Sequence, residues 1–168
     1  MTTHPTRLPD DAMVFVQGRE RPQKSGDVFN TKKLAVIFGT PGAFTPTCTQ
    51  KHLPSYIHKA KEMASLGVDM IACVCPNDKY VIEAWSEELN VDAAVITMVS
   101  DGNLEFASAL GIKTDCTSNV MGYRFQRFAI VASQGTILHL ATEKIPSDFS
   151  ATSSDKVVEF LKTRQRGG

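Results

Sequence analysis

The chain has no excess of charge of either sign. Its 168 residues carry 18 Lys and Arg against 18 Asp and Glu. A protein that binds nucleic acid or an anionic membrane surface usually needs a basic excess, so neither partner is expected. No apolar run approaches the ~20 residues of a membrane-spanning helix. The opening MTTHPTRLPDD has no apolar core and carries acids early, which reads against a secretory signal. Histidine and cysteine are sparse, with four of each. His4, His52, His58 and His139 are scattered. Cys48, Cys73, Cys75 and Cys116 form no Cys-x-x-Cys and no zinc-like spacing. No metal and no cofactor are therefore expected. A chain of this length buries enough core to do without disulfide staples, so a reducing compartment fits its cysteines. A cytoplasmic protein is expected, or a mitochondrial one if a presequence has been removed. Repeats, low-complexity tracts and linkers are absent, and residues 1–168 read as a single domain.

What is present is an alternation of strands and helices. Residues 13–17 read as a short strand and 18–33 as a polar, turn-rich passage. Leu34–Phe38 is a continuous apolar run, short enough for a fully buried central strand. A helix over about 46–65 follows. Pro54 should kink or divide it, and Gly67 should end it. Val68–Cys75 is the next strand. Residues 78–89 have helical spacing, with Val81, Ile82, Trp85 and Leu89 on one face. A strand over 94–99 and a short helix over 103–110 come next. Ser133-Gln-Gly135 reads as the turn of a hairpin between Phe128–Ala132 and Thr136–Ala141. A helix over about 153–163, capped by Ser153 or Ser154, closes the chain. This pattern argues an α/β fold with a mixed sheet.

The chemistry concentrates in Pro41-Gly-Ala-Phe-Thr-Pro-Thr-Cys48. Thr45 reads as an N-cap and Pro46 as the first helical residue. Cys48 then falls in the first turn, where free N–H groups, including its own and that of Thr47, and the helix dipole favour an anion. The thiolate is the nucleophilic form of cysteine, so a reactive residue is expected there. The alternative is a buried structural cysteine. His52, one turn on, could be the base of a Cys/His pair.

PGAFTPTC followed by HLP resembles the peroxidatic loop of the peroxiredoxins, in its atypical type II or peroxiredoxin-5-like branch, and the likeness runs from about residue 7 to about 162. The resemblance implies a thioredoxin-like fold and a thiol peroxidase that reduces hydrogen peroxide and alkyl hydroperoxides. Cys48 would attack a peroxide oxygen and become a sulfenic acid. Thr45 would offer its hydroxyl to the peroxide or serve as a plain cap. Pro41 would shield the thiolate or act as an ordinary turn residue. Arg127, on the strand face opposite Phe128, would hold thiolate and peroxide together. Arg124 is the competing candidate for that role, placed in the preceding loop, where it would otherwise hold a nearby acid. The resemblance makes His52 structural, tied to backbone or to a dimer surface.

Recycling is open at this level. Animal members of the branch carry a resolving cysteine near the C-terminal helix, where this chain reads Ser147-Asp-Phe-Ser-Ala-Thr-Ser-Ser154. Cys73 resembles the second cysteine of plant-like members and is either resolving or structural. Cys75 shares its face. Cys116 reads as an exposed loop residue, open to an intermolecular disulfide or glutathionylation. The favoured cycle uses Cys48 alone, reduced by glutathione, glutaredoxin or thioredoxin. Phe44, Trp85 and Phe125 are expected to form a contact patch, and the resemblance implies a homodimer. A non-enzymatic redox sensor or chaperone-like binder is the alternative function.

Overall fold

The apolar run at 34–38 becomes the strand on which the site is built. The structure, a computed structural model, describes residues 5–167. The start of the opening segment, His4 included, lies outside them. The strands are β1 (Met13–Val16), β2 (Gln23–Lys24), β3 (Ala35–Gly39), β4 (Met70–Cys75), β5 (Thr97–Ser100), β6 (Lys113–Asp115), β7 (Tyr123–Phe125), β8 (Phe128–Ser133) and β9 (Thr136–Thr142). The helices are α1 (Ser25–Phe29), α2 (Leu53–Ser65), α3 (Lys79–Glu88), α4 (Glu105–Ala109) and α5 (Ser154–Arg166). Seven strands form one mixed sheet in the order β2-β1-β5-β4-β3-β8-β9. Strands β3, β4 and β5 run parallel, while β1 and β8 run antiparallel to their neighbours.

Strand β3 is buried along its whole length because both faces of the sheet are covered. The period of two divides its side chains between two cores. Val36 and Phe38 join Cys73, Cys75, Ala129 and Val131 against α2, α3 and α5. Ala35 and Ile37 join Ala72, Val74, Phe128 and Ile130 on the side of α1 and α4. Parity alone therefore sets Arg127, the residue before β8, on the α2 side.

The helix expected over 46–65 is divided, as Pro54 demands. It starts at Pro46, widens into a π-helical turn at Cys48–His52, and resumes as α2 with Pro54 in its first turn. The Leu53 N–H reaches back five residues to the Cys48 carbonyl. Gly67, at φ 96°, ends α2 in the left-handed region that glycine tolerates. The hairpin at 133–136 is also as expected, with Gln134 and Gly135 both at positive φ.

Three local expectations are corrected. The strand at 94–99 begins only at Thr97, because the Asp92 carbonyl captures the N–H groups of Val95 and Ile96 in a turn. The helix at 103–110 is shortened to α4, since Leu104 takes a left-handed conformation and the Asp101 carboxylate accepts from Phe106 and Ala107. The turn-rich passage at 18–33 contains β2 and α1, whose Val28 and Phe29 are buried. Strands β6 and β7, which the sequence does not announce, pair antiparallel beside the main sheet.

Candidate active site

The loop that follows β3 is tied to two neighbouring segments and closed by a bond of its own. The Ala43 N–H donates to Asn77 Oδ1 at 2.9 Å, which fixes it to the end of β4. Arg124, from β7, donates through Nη1 to the Pro41 carbonyl at 3.0 Å and through Nε to the Met121 carbonyl at 3.1 Å. The Thr45 hydroxyl donates to the Gly42 carbonyl at 2.5 Å. Thr45 thus holds the N-cap position, its carbonyl accepting from the Thr49 N–H, but its side chain makes no helix cap. The hydroxyl spends its proton inside the loop and keeps its lone pairs.

Cys48 is completely buried, and the two terminal nitrogens of Arg127 each stand 3.5 Å from its sulfur. Arg127 is itself 1% exposed. Nη1 also donates to His52 Nδ1 at 2.8 Å, and Nη2 to the Pro146 carbonyl at 2.8 Å. Arginine has no acceptor, so His52 Nδ1 must accept and the ring proton sits on Nε2. Burial pushes the His52 pKa well down, and the neighbouring guanidinium pushes it further. His52 is therefore a neutral acceptor that aims Arg127. Its role is structural, as the resemblance implies, but its tie is to the Arg127 side chain rather than to backbone, and a buried neutral ring occupied by a guanidinium does not serve as the base of a Cys/His pair. Phe38, Tyr56 and Phe149 surround its ring, with centroids 5.0–5.3 Å away.

The segment that carries Pro146 is closed by a carboxylate that the sequence gives no reason to notice. Glu143 accepts from the N–H groups of Ser150, Ala151 and Thr152 and from the hydroxyls of Ser150 and Thr152. Its own N–H donates to the Arg127 carbonyl. Burial pushes the Glu143 carboxyl up, but the Thr152 and Ser150 donors outweigh it and leave the pKa below its usual range. The segment 143–152 is thereby closed into a staple whose inner carbonyl, at Pro146, orients Arg127.

A cavity of about 310 Å³ opens over this cluster, lined by Pro41, Thr45, Met121, Arg124, Arg127 and Pro146 among others. Cys48 meets it through Arg127. Cys116 also lines the cavity and is buried, at 9% exposure, because its N–H and carbonyl close the 116–122 turn. It is not the exposed loop thiol expected. Arg124 likewise lies in a strand and holds two carbonyls rather than an acid. Trp85 and Phe125 are fully buried, the former donating to Thr49 Oγ1 at 3.0 Å, so of the expected contact patch only Phe44 is exposed.

Cys73 and Cys75 share the α2 face of β4, their sulfurs 3.9 Å apart, with the Thr40 hydroxyl 2.9 Å from Cys75. Both are fully buried. Burial, then contact with Cys75, pushes the Cys73 thiol well up, against thiolate formation.

A cysteine at a helix start, faced by a buried guanidinium at the floor of a small cavity, on a mixed sheet covered by helices, defines a thiol-dependent peroxidase of thioredoxin-like fold. Known proteins agree. Residues 6–157 match the Redoxin family. The chloroplastic peroxiredoxin-2E-2 of Oryza sativa subsp. japonica is 39% identical over 159 residues, covering 92% of this chain and 70% of its own. Peroxiredoxin-2B of Arabidopsis thaliana is 33% identical, covering 92% and 94%. The reduced Prx3 of Vibrio vulnificus, solved in complex with hydrogen peroxide, is 33% identical with a TM-score of 0.87 over 98% of this chain and 99% of that one. The chain belongs to the redoxin family, in the type II branch of the peroxiredoxins.

Proposed function

We propose that the protein reduces hydrogen peroxide and organic hydroperoxides at Cys48 and is recycled by glutathione with glutaredoxin, or by thioredoxin. The observation that carries the reading is the pair of Arg127 nitrogens 3.5 Å from the Cys48 sulfur. A guanidinium in that position stabilises negative charge on sulfur and on the departing oxygen alike. The hydroperoxide enters the cavity over Thr45 and Arg127. The Cys48 thiolate attacks the nearer oxygen, the O–O bond breaks, and water or an alcohol leaves after taking up a proton. Thr45, with free lone pairs, accepts the peroxide O–H and aligns it. Pro41 walls the site. Hydrogen peroxide as substrate is supported by the Vibrio vulnificus relative, which was solved with it bound.

The cycle we favour uses one cysteine. Cys73 stands fully buried in a central strand with its thiol form favoured, so an external thiol condenses with the Cys48 sulfenic acid and releases water. A second thiol then frees Cys48 as the thiol and leaves as a disulfide. A reducing, cytoplasmic setting is the one we favour, since the cycle needs Cys48 as a free thiol before each turnover. A homodimer through the loop region is supported by exposed Phe44, Val120, Tyr123 and Ile145, each adjacent in sequence to a residue that lines the cavity.

One equivalent of peroxide tests the reading by intact mass and peptide mapping. The expected product, without a reductant, gains one oxygen on Cys48 and on no other cysteine. Oxygen placed on Cys116 or Cys75 instead would count against it.

A further inference from the structure

We propose that the cavity over the site binds a carboxylate, with Arg124 as its counter-charge; the inference rests on the peroxidase reading and gives it a ligand class. Arg124 and Arg127 line the same cavity, and no Asp or Glu lines it with them. Among the described residues neither arginine has a carboxylate within ion-pair distance, whereas all five ion pairs present use lysine. Two permanent positive charges therefore face one cavity, and only one of them, Arg127, has an anion to answer it, the Cys48 thiolate. Arg127 is committed, since its two terminal nitrogens meet Cys48, His52 and Pro146. Arg124 is not. Its Nε and Nη1 donate to neutral carbonyls, and Nη2 donates to no described group.

Holding two carbonyls needs only a neutral donor. A guanidinium there adds a full charge, half-buried at a wall of prolines and Met121. In such a place water screens an ion pair less than at an open surface. The loop is shaped to admit it. A Cβ on Gly42 would come within 2.8 Å of Arg124 Nη1, so only glycine lets the guanidinium lie this close to the catalytic turn. The cavity has room for a compact molecule. The ligand that fits has an apolar body, a carboxylate at one end for Arg124, and its reacting atom at Cys48. That chemistry has two sources, an acidic organic hydroperoxide or an acidic thiol arriving to reduce the sulfenic acid.

Two arms separate them. In the first, kcat/KM is compared for the para-carboxylate of cumene hydroperoxide and its methyl ester, with hydrogen peroxide as the common scale. In the second, hydrogen peroxide is fixed and the reductant is mercaptopropionate or its methyl ester. Wild type should favour the acid about tenfold in at least one arm, less at high salt. The arm that shows it names the source. Arg124→Gln should bring the acid/ester ratio to about one, and Arg124→Lys should keep part of the preference. Working with ratios removes any effect of these variants on basal turnover. A wild-type ratio of one in both arms, or a ratio untouched in Arg124→Gln, overturns the proposal. Failure of wild type to consume hydrogen peroxide would instead overturn the peroxidase reading beneath it.

Discussion

Arg127→Gln is expected to lower kcat/KM for hydrogen peroxide by about a thousandfold, and Arg127→Lys by about a hundredfold. The side chain does three things at once. It faces the Cys48 sulfur with both terminal nitrogens, takes its orientation from His52 and Pro146, and presents charge to the cavity. Glutamine removes the charge and the fork together. Lysine restores a charge, but as a single point on a flexible stem that cannot meet sulfur, imidazole and carbonyl in one plane. The ordering Arg over Lys over Gln is therefore part of the expectation, checked by stopped-flow peroxide consumption at saturating reductant. Equal losses for both variants would mean that geometry counts and charge does not. A loss under threefold in Arg127→Gln would remove Arg127 from the chemistry.

The largest expected effect on folding comes from Gly39→Ala, about 3 kcal/mol of destabilisation or more. Gly39 ends β3 opposite Phe128 of β8. A Cβ there would stand 2.0 Å from one ring carbon of Phe128 and 2.4 Å and 2.5 Å from two others. The ring cannot retreat easily, because it is fully buried and packs on Phe125 and Phe106 at centroid distances of 5.4 Å and 6.4 Å. Relief must come from moving β8, which carries Arg127 at its entry. Activity should fall along with the denaturation midpoint. The double variant Gly39→Ala with Phe128→Leu should be more stable than the sum of the two single changes, since each makes room for the other. A denaturation midpoint in Gly39→Ala equal to wild type would show that the strand ends are looser than the register implies.

The chemistry was legible in the sequence where it depends on local spacing. Pro41 to Cys48 is contiguous, and the strand before it is apolar throughout. Arg127 was placed on the correct face by alternation against Phe128, a rule that needs only a strand to follow. What the sequence hid depends on contacts between distant segments. Strands β6 and β7 have three residues each, too few to show a period, so Arg124 had no register from which to infer its grip on Pro41. Cys116 stands among polar residues yet is buried by a turn closed through backbone bonds. Trp85 was a fair candidate for a surface patch until Thr49 supplied an acceptor for its N–H. The staple of Glu143 over 150–152, which seats Pro146 on Arg127, is held by hydrogen bonds that carry no residue signature. His52 was visible as a residue but not as a role, because its partner lies 75 positions away.

Peroxide consumption by wild type, Cys48→Ser and Cys73→Ser, driven separately by glutaredoxin with glutathione and by thioredoxin, tests the central claim most directly. Turnover should vanish in Cys48→Ser with either reductant and persist in Cys73→Ser with whichever reductant serves wild type. Loss in Cys73→Ser together with an internal disulfide in oxidised wild type would replace the one-cysteine cycle by a two-cysteine one. Turnover surviving in Cys48→Ser would contradict the account as a whole.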